Sequence, residues 1–202
     1  MRIAIIGAGR VGRALGVRWS AVGHNIAYGV RDPNDEKHAD LPQVATPRDA
    51  VSGAGAVLIS LPWAATQGVV SSLATGEAVV LDATNPLAAN AREFAVNPTL
   101  SGAERVRDWM GGARVVKAFN TTGSGNMLDP DYGSLRPMMP VAGDDVEAKS
   151  VAIALADEIG FAGSDVGPLS GARDLEHLAM LWIRLAYTLG NGPDIAFALL
   201  RR

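Results

Sequence analysis

The sequence predicts an α/β fold: a doubly wound, mostly parallel sheet with a C-terminal helical segment. Three observations predict it. Apolar runs of strand length alternate with stretches of helical periodicity, the order that winds a parallel sheet with right-handed crossovers. The runs are continuous rather than alternating, as expected of strands buried on both faces. The chain has 202 residues, enough for one well-cored domain with a short appendage. The division expected is a sheet domain over 1–170 and terminal helices over 171–202.

Taken in order, Ile3-Ala4-Ile5-Ile6 is the first strand. Val11, Ala14, Leu15, Trp19 and Val22 then recur at helical spacing, and Gly23 ends that helix as a left-handed cap. Asn25 to Val30 reads as the second strand, Arg48 to Ser52 as a short helix, and Ala56 to Ile59 as another strand. Pro62 opens a helix to about Leu73. Ala78 to Leu81 and Arg114 to Phe119 are further strands. The Gly-, Asp-, Pro- and Ser-rich stretch from Thr121 to Arg136 reads as a loop across the mouth of the sheet. Met138 to Ala142 and Ala162 to Val166 read as strands around a helix from Asp145 to Ile159. A helical region runs from about Arg173 to the end, broken near Gly190-Asn191-Gly192-Pro193.

Composition narrows the function. Net charge is −3 and no Lys/Arg-rich run occurs, so nothing points to nucleic acid or an anionic membrane surface. The absence of Cys removes thiolate catalysis and Cys-ligated metals, and His24, His38 and His177 are too scattered to suggest a metal site. No run approaches the roughly 20 apolar residues of a membrane-spanning helix, and Ile3 to Ile6 is too short for a signal peptide. A cytoplasmic protein is expected, with no membrane partner.

Gly7-Ala8-Gly9-Arg10-Val11-Gly12 fits GxGxxG. The pattern alone is weak, but here it follows a buried strand and opens an amphipathic helix, the context of the Rossmann NAD(P)-binding fold. Gly7 allows the tight turn, Gly9 the approach of a pyrophosphate, and Gly12 close packing of helix on strand. The helix N-terminus offers free amides to the phosphates. The second strand ends in Tyr28-Gly29-Val30-Arg31-Asp32. Arg31 comes first and suits a 2′-phosphate. Asp32 has the spacing of an acid that would bind a ribose 2′-hydroxyl, and Pro33 is expected to turn it away. The preferred cofactor is therefore NADP (NADPH), with NAD as the alternative.

The stretches "IGAGRVGRAL", "YGVRDP", "SLPW", "VVKAFNT", "VAGDD" and "GPLSGARDLEHLAMLWIRLAY" span nearly the whole chain. Together they resemble the deazaflavin (coenzyme F420)-dependent NADP oxidoreductase family and the NADPH-binding domain of the six-transmembrane metalloreductases. The resemblance implies that Ala8, Gly9, Arg10 and Val11 wrap the pyrophosphate and that Arg31 meets the 2′-phosphate. It implies that Ser60, Leu61, Pro62 and Trp63 lie over the nicotinamide ribose, and that Asn85, Pro86 and Asn120 approach the nicotinamide. Val30 stands where family members often carry Ser, which could weaken NADP preference. Asn120 stands where the archaeal deazaflavin enzymes carry a His, so the acceptor half of the site carries over less well than the NADP half.

Hydride transfer between nicotinamide and a flavin-like ring requires stacking at about 3 to 3.5 Å and no catalytic side chain. The second substrate implied is a flavin or deazaflavin, a small-molecule redox acceptor. Thr121, Thr122 and the backbone of 123–125 are either donors to that ring or an ordinary polar loop. Alternatives are a reductase of imines or β-hydroxy acids, for which Lys117 is the one Lys near the site, and a non-catalytic NADP sensor. Lys117 is expected to point away from the cofactor. Glu176 and His177 are either an acid/base pair or, preferably, a helix face near a subunit contact. Leu175, Leu178, Leu181, Trp182, Leu185 and Leu189 form an apolar arc broader than one sheet face needs. A two-fold homodimer through these C-terminal helices is expected, with Trp182 at its contact.

Overall fold

The computed structural model describes residues 1–88, 93–95 and 99–202. Eight strands form one sheet: β1 (Arg2–Ile6), β2 (Asn25–Gly29), β3 (Val44–Ala45), β4 (Ala56–Ile59), β5 (Val79–Asp82), β6 (Val115–Lys117), β7 (Met138–Gly143) and β8 (Ala162–Asp165). Their order is β3-β2-β1-β4-β5-β6-β7-β8. All neighbours are parallel except β6 and β7. The order reverses between β1 and β4, the switch point where doubly wound sheets take ligands at their strand C-termini.

The continuous apolar strands fill both layers. Ile3, Ile5, Leu58, Leu81 and Val116 face one side, with α1 (Arg10–Ala21) and α6 (Val146–Asp157) over them. Ala4, Ile6, Val57, Ile59, Val80 and Val115 face the other, beneath α3 (Trp63–Val70), α4 (Gly102–Trp109) and α7 (Ala172–Ile183). Two short helices, α2 (Pro47–Ala50) and α5 (Ser124–Leu128), complete the set.

Helix α4 lies in a segment that the sequence reading leaves unassigned. Its start is fixed by a capping box: the Ser101 hydroxyl accepts from the Glu104 amide at 3.1 Å, and Glu104 Oε2 accepts from the Ser101 amide at 2.7 Å. Two sequence expectations are corrected. The first concerns the segment from Thr121 to Arg136, which is not all loop because it contains α5. The second concerns the C-terminus. Helix α7 passes into a π-helical turn, Arg184–Thr188, and no helix follows. The later residues run as an extended strap. Asn126 Nδ2 donates to the carbonyls of Pro193 (3.1 Å) and Ile195 (2.8 Å), and the Met138 amide donates to Phe197 O at 2.8 Å. Backbone carbonyls of the strap, rather than a helical face, make its contacts with the body of the protein.

Trp182 is likewise not at a surface. It is 5% exposed. Its Nε1 donates to Ile195 O at 2.7 Å, and a Cβ on Gly123 would lie 2.7 Å from its ring. The exposed large apolar residues of this region include Leu181, Tyr187 and Leu189, with Leu199 and Leu200 further on. Among the described residues, no helix is long and apolar enough to cross a membrane.

Glu104 also clamps α7 to α4. Arg173 Nε and Nη2 donate to its two carboxylate oxygens at 3.0 and 2.6 Å. Burial alone would push this carboxyl up. Arg173 and Ser101 overcome that and hold it at about 2 instead of 4.5. A depressed carboxylate pKa stabilises the fold above the unfolded value and ceases to do so as pH falls through the folded one. Glu104→Gln should therefore lose about 1 to 2 kcal/mol at neutral pH, a figure discounted because Arg173 is partly exposed. Urea unfolding of both proteins checks it. The gap between them should shrink as pH falls from about 4.5 towards 2, and a constant gap would remove the charge from the explanation.

Candidate functional site

The turn after β1 carries the glycines, and each does something different. Gly7 has φ +104°, a left-handed conformation that penalises any side chain. A Cβ on Gly12 would lie 2.2 Å from Gly7 O, so that glycine seats α1 on the turn. A Cβ on Gly9 would meet nothing within 4 Å. The first and third glycines are needed by the protein itself, while the second borders open space at the start of α1.

That space belongs to a cavity of about 1050 Å³ at the switch point. Of the residues that the sequence reading assigns to the cofactor, Gly7, Ala8, Gly9, Arg31, Ser60, Leu61 and Pro62 line it. Arg10, Val11 and Gly12 open α1 beside it without lining it. The Ser60 hydroxyl donates to Gly7 O at 2.8 Å, so it braces the glycine turn rather than pointing freely at a ribose. Arg13 ties the turn to the loop after β2, donating to Ala8 O (3.1 Å), Lys37 O (2.6 Å) and Asp40 (2.5 Å).

Arg31 and Asp32 both reach the far end of the cavity. Asp32 Oδ1 accepts from the Asn34 amide at 3.0 Å, which spends one carboxylate oxygen on the turn that Pro33 begins. Arg31 is exposed at the rim. Sequence reading missed the rest of this end: Lys37, His38, Thr46 and Arg48 line it too. Arg48 sits in the first turn of α2, which Gly29 admits close to β2, since a Cβ there would lie 2.9 Å from Pro47 Cα. No motif spacing places it. His38 is no loose loop residue. It is buried, and its Nδ1 has no partner among the described residues.

Trp63, Asn85, Pro86 and Asn120 lie outside that cavity and gather at the C-terminal ends of β5 and β6. A Cβ on Gly102 would touch Trp63, Pro86 and Glu176 together. Trp63 packs its ring against Trp109 at 5.2 Å, a core contact rather than a free shelf. Asn85 Nδ2 donates to Asn120 O at 3.1 Å, and Asn120 Nδ2 donates to Asn85 Oδ1 at 3.0 Å and Leu175 O at 3.1 Å. Phe119, just before, has φ +59°, a strained conformation that turns the chain at the end of β6.

Below this pair lies a buried charge cluster. Asp82 and Lys117 are register partners that end β5 and β6. Lys117 is fully buried, and its Nζ donates to Asp82 Oδ2 at 3.0 Å and to Thr84 O, and faces Glu176 Oε1 at 3.1 Å. Lys117 thus does point away from the cavity, into the layer under α4 and α7. Burial pushes its pKa down, but the two carboxylates more than reverse that and keep it protonated. Glu176 accepts from the Gly102 amide at 2.9 Å, capping α4, while burial pushes its own pKa up against the pull of Lys117. Glu176 is therefore neither half of an acid/base pair nor a subunit-facing residue. His177 does not join it, since its Nδ1 bonds Arg173 O at 2.7 Å and its ring meets Phe94. Thr122 and Gly123 are likewise occupied, by Asn126 and Trp182.

The sheet order and the glycine turn at the switch point define the class: a dinucleotide-type α/β fold of the Rossmann kind. Residues 2–86 match the family model described as NADP oxidoreductase, coenzyme F420-dependent. A structure described as an F420-dependent NADP-reductase from Arthrobacter sp. FB24 superposes with TM-score 0.84 at 29% identity, covering 98% of this chain and 99% of that one. The metalloreductase STEAP3 of Rattus norvegicus is 26% identical over 183 residues, 89% of this chain. The chain spans only 36% of that relative's length. A reductive aminase from Aspergillus terreus, in complex with NADPH and ethyl levulinate, shares the fold: TM-score 0.67 at 17% identity, over 94% of this chain and 62% of the other.

Proposed function

We propose that the protein is an NADPH-dependent oxidoreductase that passes hydride between the nicotinamide and a flavin or deazaflavin. One observation carries the reading. A single cavity joins the glycine turn, with room at Gly9, to an end lined by Arg31 and Arg48, the arrangement that suits a pyrophosphate at one point and a 2′-phosphate at the other. Ser60, Leu61 and Pro62 line the same cavity, and the Asn85–Asn120 pair is assigned to the nicotinamide by the resemblance to the family. The site's chemistry is positioning: it holds the ring and asks no side chain for a proton. The imine-reductase alternative loses its Lys, because Lys117 is fully buried and engaged by two carboxylates.

Stopped-flow oxidation of NADPH against a panel of flavins and deazaflavin tests the reading. Turnover with a member of the panel supports it; binding without turnover leaves a nucleotide sensor. Asn120 replaces the deazaflavin-contacting His, so Asn120→His is expected to raise deazaflavin turnover relative to flavin. Efficient and exclusive deazaflavin use by the parent chain would overturn that account of Asn120.

A two-fold pairing of chains through Leu181, Tyr187 and Leu189 is part of the same reading, supported by their exposure. Light scattering at micromolar concentration should give a dimer mass that Leu181→Glu lowers. A monomer mass for the parent chain would remove the dimer.

A further inference from the structure

The contacts under the Asn85–Asn120 pair close into a ring. Lys117 Nζ holds Thr84 O, and Thr84 adjoins Asn85. Asn85 and Asn120 bond each other twice, at 3.1 and 3.0 Å. Asn120 holds Leu175 O at 3.1 Å, and Leu175 adjoins Glu176. Glu176 returns to Lys117 at 3.1 Å. Three separate elements, β5, β6 and α7, are tied at one point, and the only charged donor in the ring is Lys117. Two ring atoms, Thr84 Oγ1 and Asn120 Oδ1, are buried with no partner among the described residues. A buried polar group without a partner is costly, and it persists only where its neighbours are held rigidly.

A full charge under a site whose chemistry uses no titrating side chain calls for a reason. Replacing a buried ion cluster by apolar packing is often neutral or stabilising, so stability alone does not explain it. We propose that Lys117 and Glu176 are positioning residues, which fix Asn85 and Asn120 and through them the nicotinamide end of the site. The proposal rests on the functional reading above. Lys117 acts through the Thr84 carbonyl, which sets where Asn85 leaves β5. Glu176 acts through α7, which presents the Leu175 carbonyl to Asn120. The adenosine end, built on β1, β2 and α2, lies outside the ring.

Three variants test it: Lys117→Met, Glu176→Ala and Glu176→Gln. Glu176→Ala leaves Lys117 balanced by Asp82, so it retains a neutral buried pair, and Glu176→Gln keeps an acceptor for Lys117 and Gly102. Each is checked for a cooperative thermal transition, then titrated with 2′,5′-ADP, which reports the adenosine end alone, and with NADPH, whose fluorescence reports the nicotinamide. Lys117→Met and Glu176→Ala should bind 2′,5′-ADP within about threefold of the parent, lose the fluorescence change of bound NADPH, and drop in kcat by about 100-fold, the scale of a misplaced reactant. Glu176→Gln should restore both readouts. If Lys117→Met does not fold, the Ala and Gln variants at Glu176 decide. Folded variants with parental fluorescence and kcat overturn the proposal alone, as does a loss of 2′,5′-ADP binding that matches the loss of kcat. A parent chain that binds neither nucleotide overturns the functional reading, and the proposal with it.

Discussion

Gly9→Val is expected to fold as the parent chain does and to lose NADPH and NADH together, by about 100-fold or more, or roughly 2.7 kcal/mol. Gly9 has φ −78°, which any residue adopts, and its Cβ would enter open space. Beyond its chain neighbours, no described atom lies within 4 Å of that Cβ, and the cost to the fold is limited to a poorer N-cap on α1. A branched side chain would instead occupy the ground where a pyrophosphate must approach the backbone amides. Gly12→Val is the contrast. Its Cβ would lie 2.2 Å from Gly7 O, 2.7 Å from Ser60 Oγ and 2.9 Å from Ile5 Cγ2. Overpacking of that kind costs about 1 to 3 kcal/mol or more, and it should appear in urea unfolding before any nucleotide is added. Equal stability losses in the two variants would mean that Gly9 is as structural as Gly12. Undiminished binding by Gly9→Val would move the pyrophosphate elsewhere.

Arg31→Ala should weaken NADPH by about 10- to 150-fold, the 1.5 to 3 kcal/mol of a hydrogen bond to a charged group, and leave NADH within about threefold. Only NADPH carries the phosphate that the rim of the cavity is proposed to hold. Arg31 is exposed and free to meet it, whereas Asp32 gives one carboxylate oxygen to the Asn34 amide. Arg48, on α2 at the same end, should show a smaller loss of the same sign. Titration of both cofactors into both variants at fixed salt measures this, since exposed charges are screened. Equal loss of NADPH and NADH would take Arg31 out of the site. A parent chain that prefers NADH would return the assignment to Asp32.

The glycine turn was legible because its determinants are local. Gly7, Gly9 and Gly12 stand within one turn, directly after a strand whose apolar run announces burial on both faces. The same holds for β4 and the "SLPW" segment after it. Where a segment lacks that contrast, it yields no reading or a wrong one. Helix α4 is polar along most of its length, and its only local signal was the Ser101–Glu104 capping box. The end of the chain read as helix because its apolar residues are dense, yet it runs extended past Asn126 and Trp182, held by backbone hydrogen bonds rather than by helical periodicity.

The sequence by itself determined that β1, the turn and α1 form a nucleotide-type unit, and that an arginine follows β2 where a phosphate could be read. Short-range spacing suffices for both, because backbone geometry fixes what residues a few positions apart can do. Only the tertiary structure decided the antiparallel placement of β7, the arrival of Arg48 and His38 at the cavity, and the partners of Lys117. Asp82, Lys117 and Glu176 come from β5, β6 and α7, and each charge is tolerable in the interior only beside the others. A buried charge is decided by its neighbours in space, and no spacing along the chain specifies which neighbours those are.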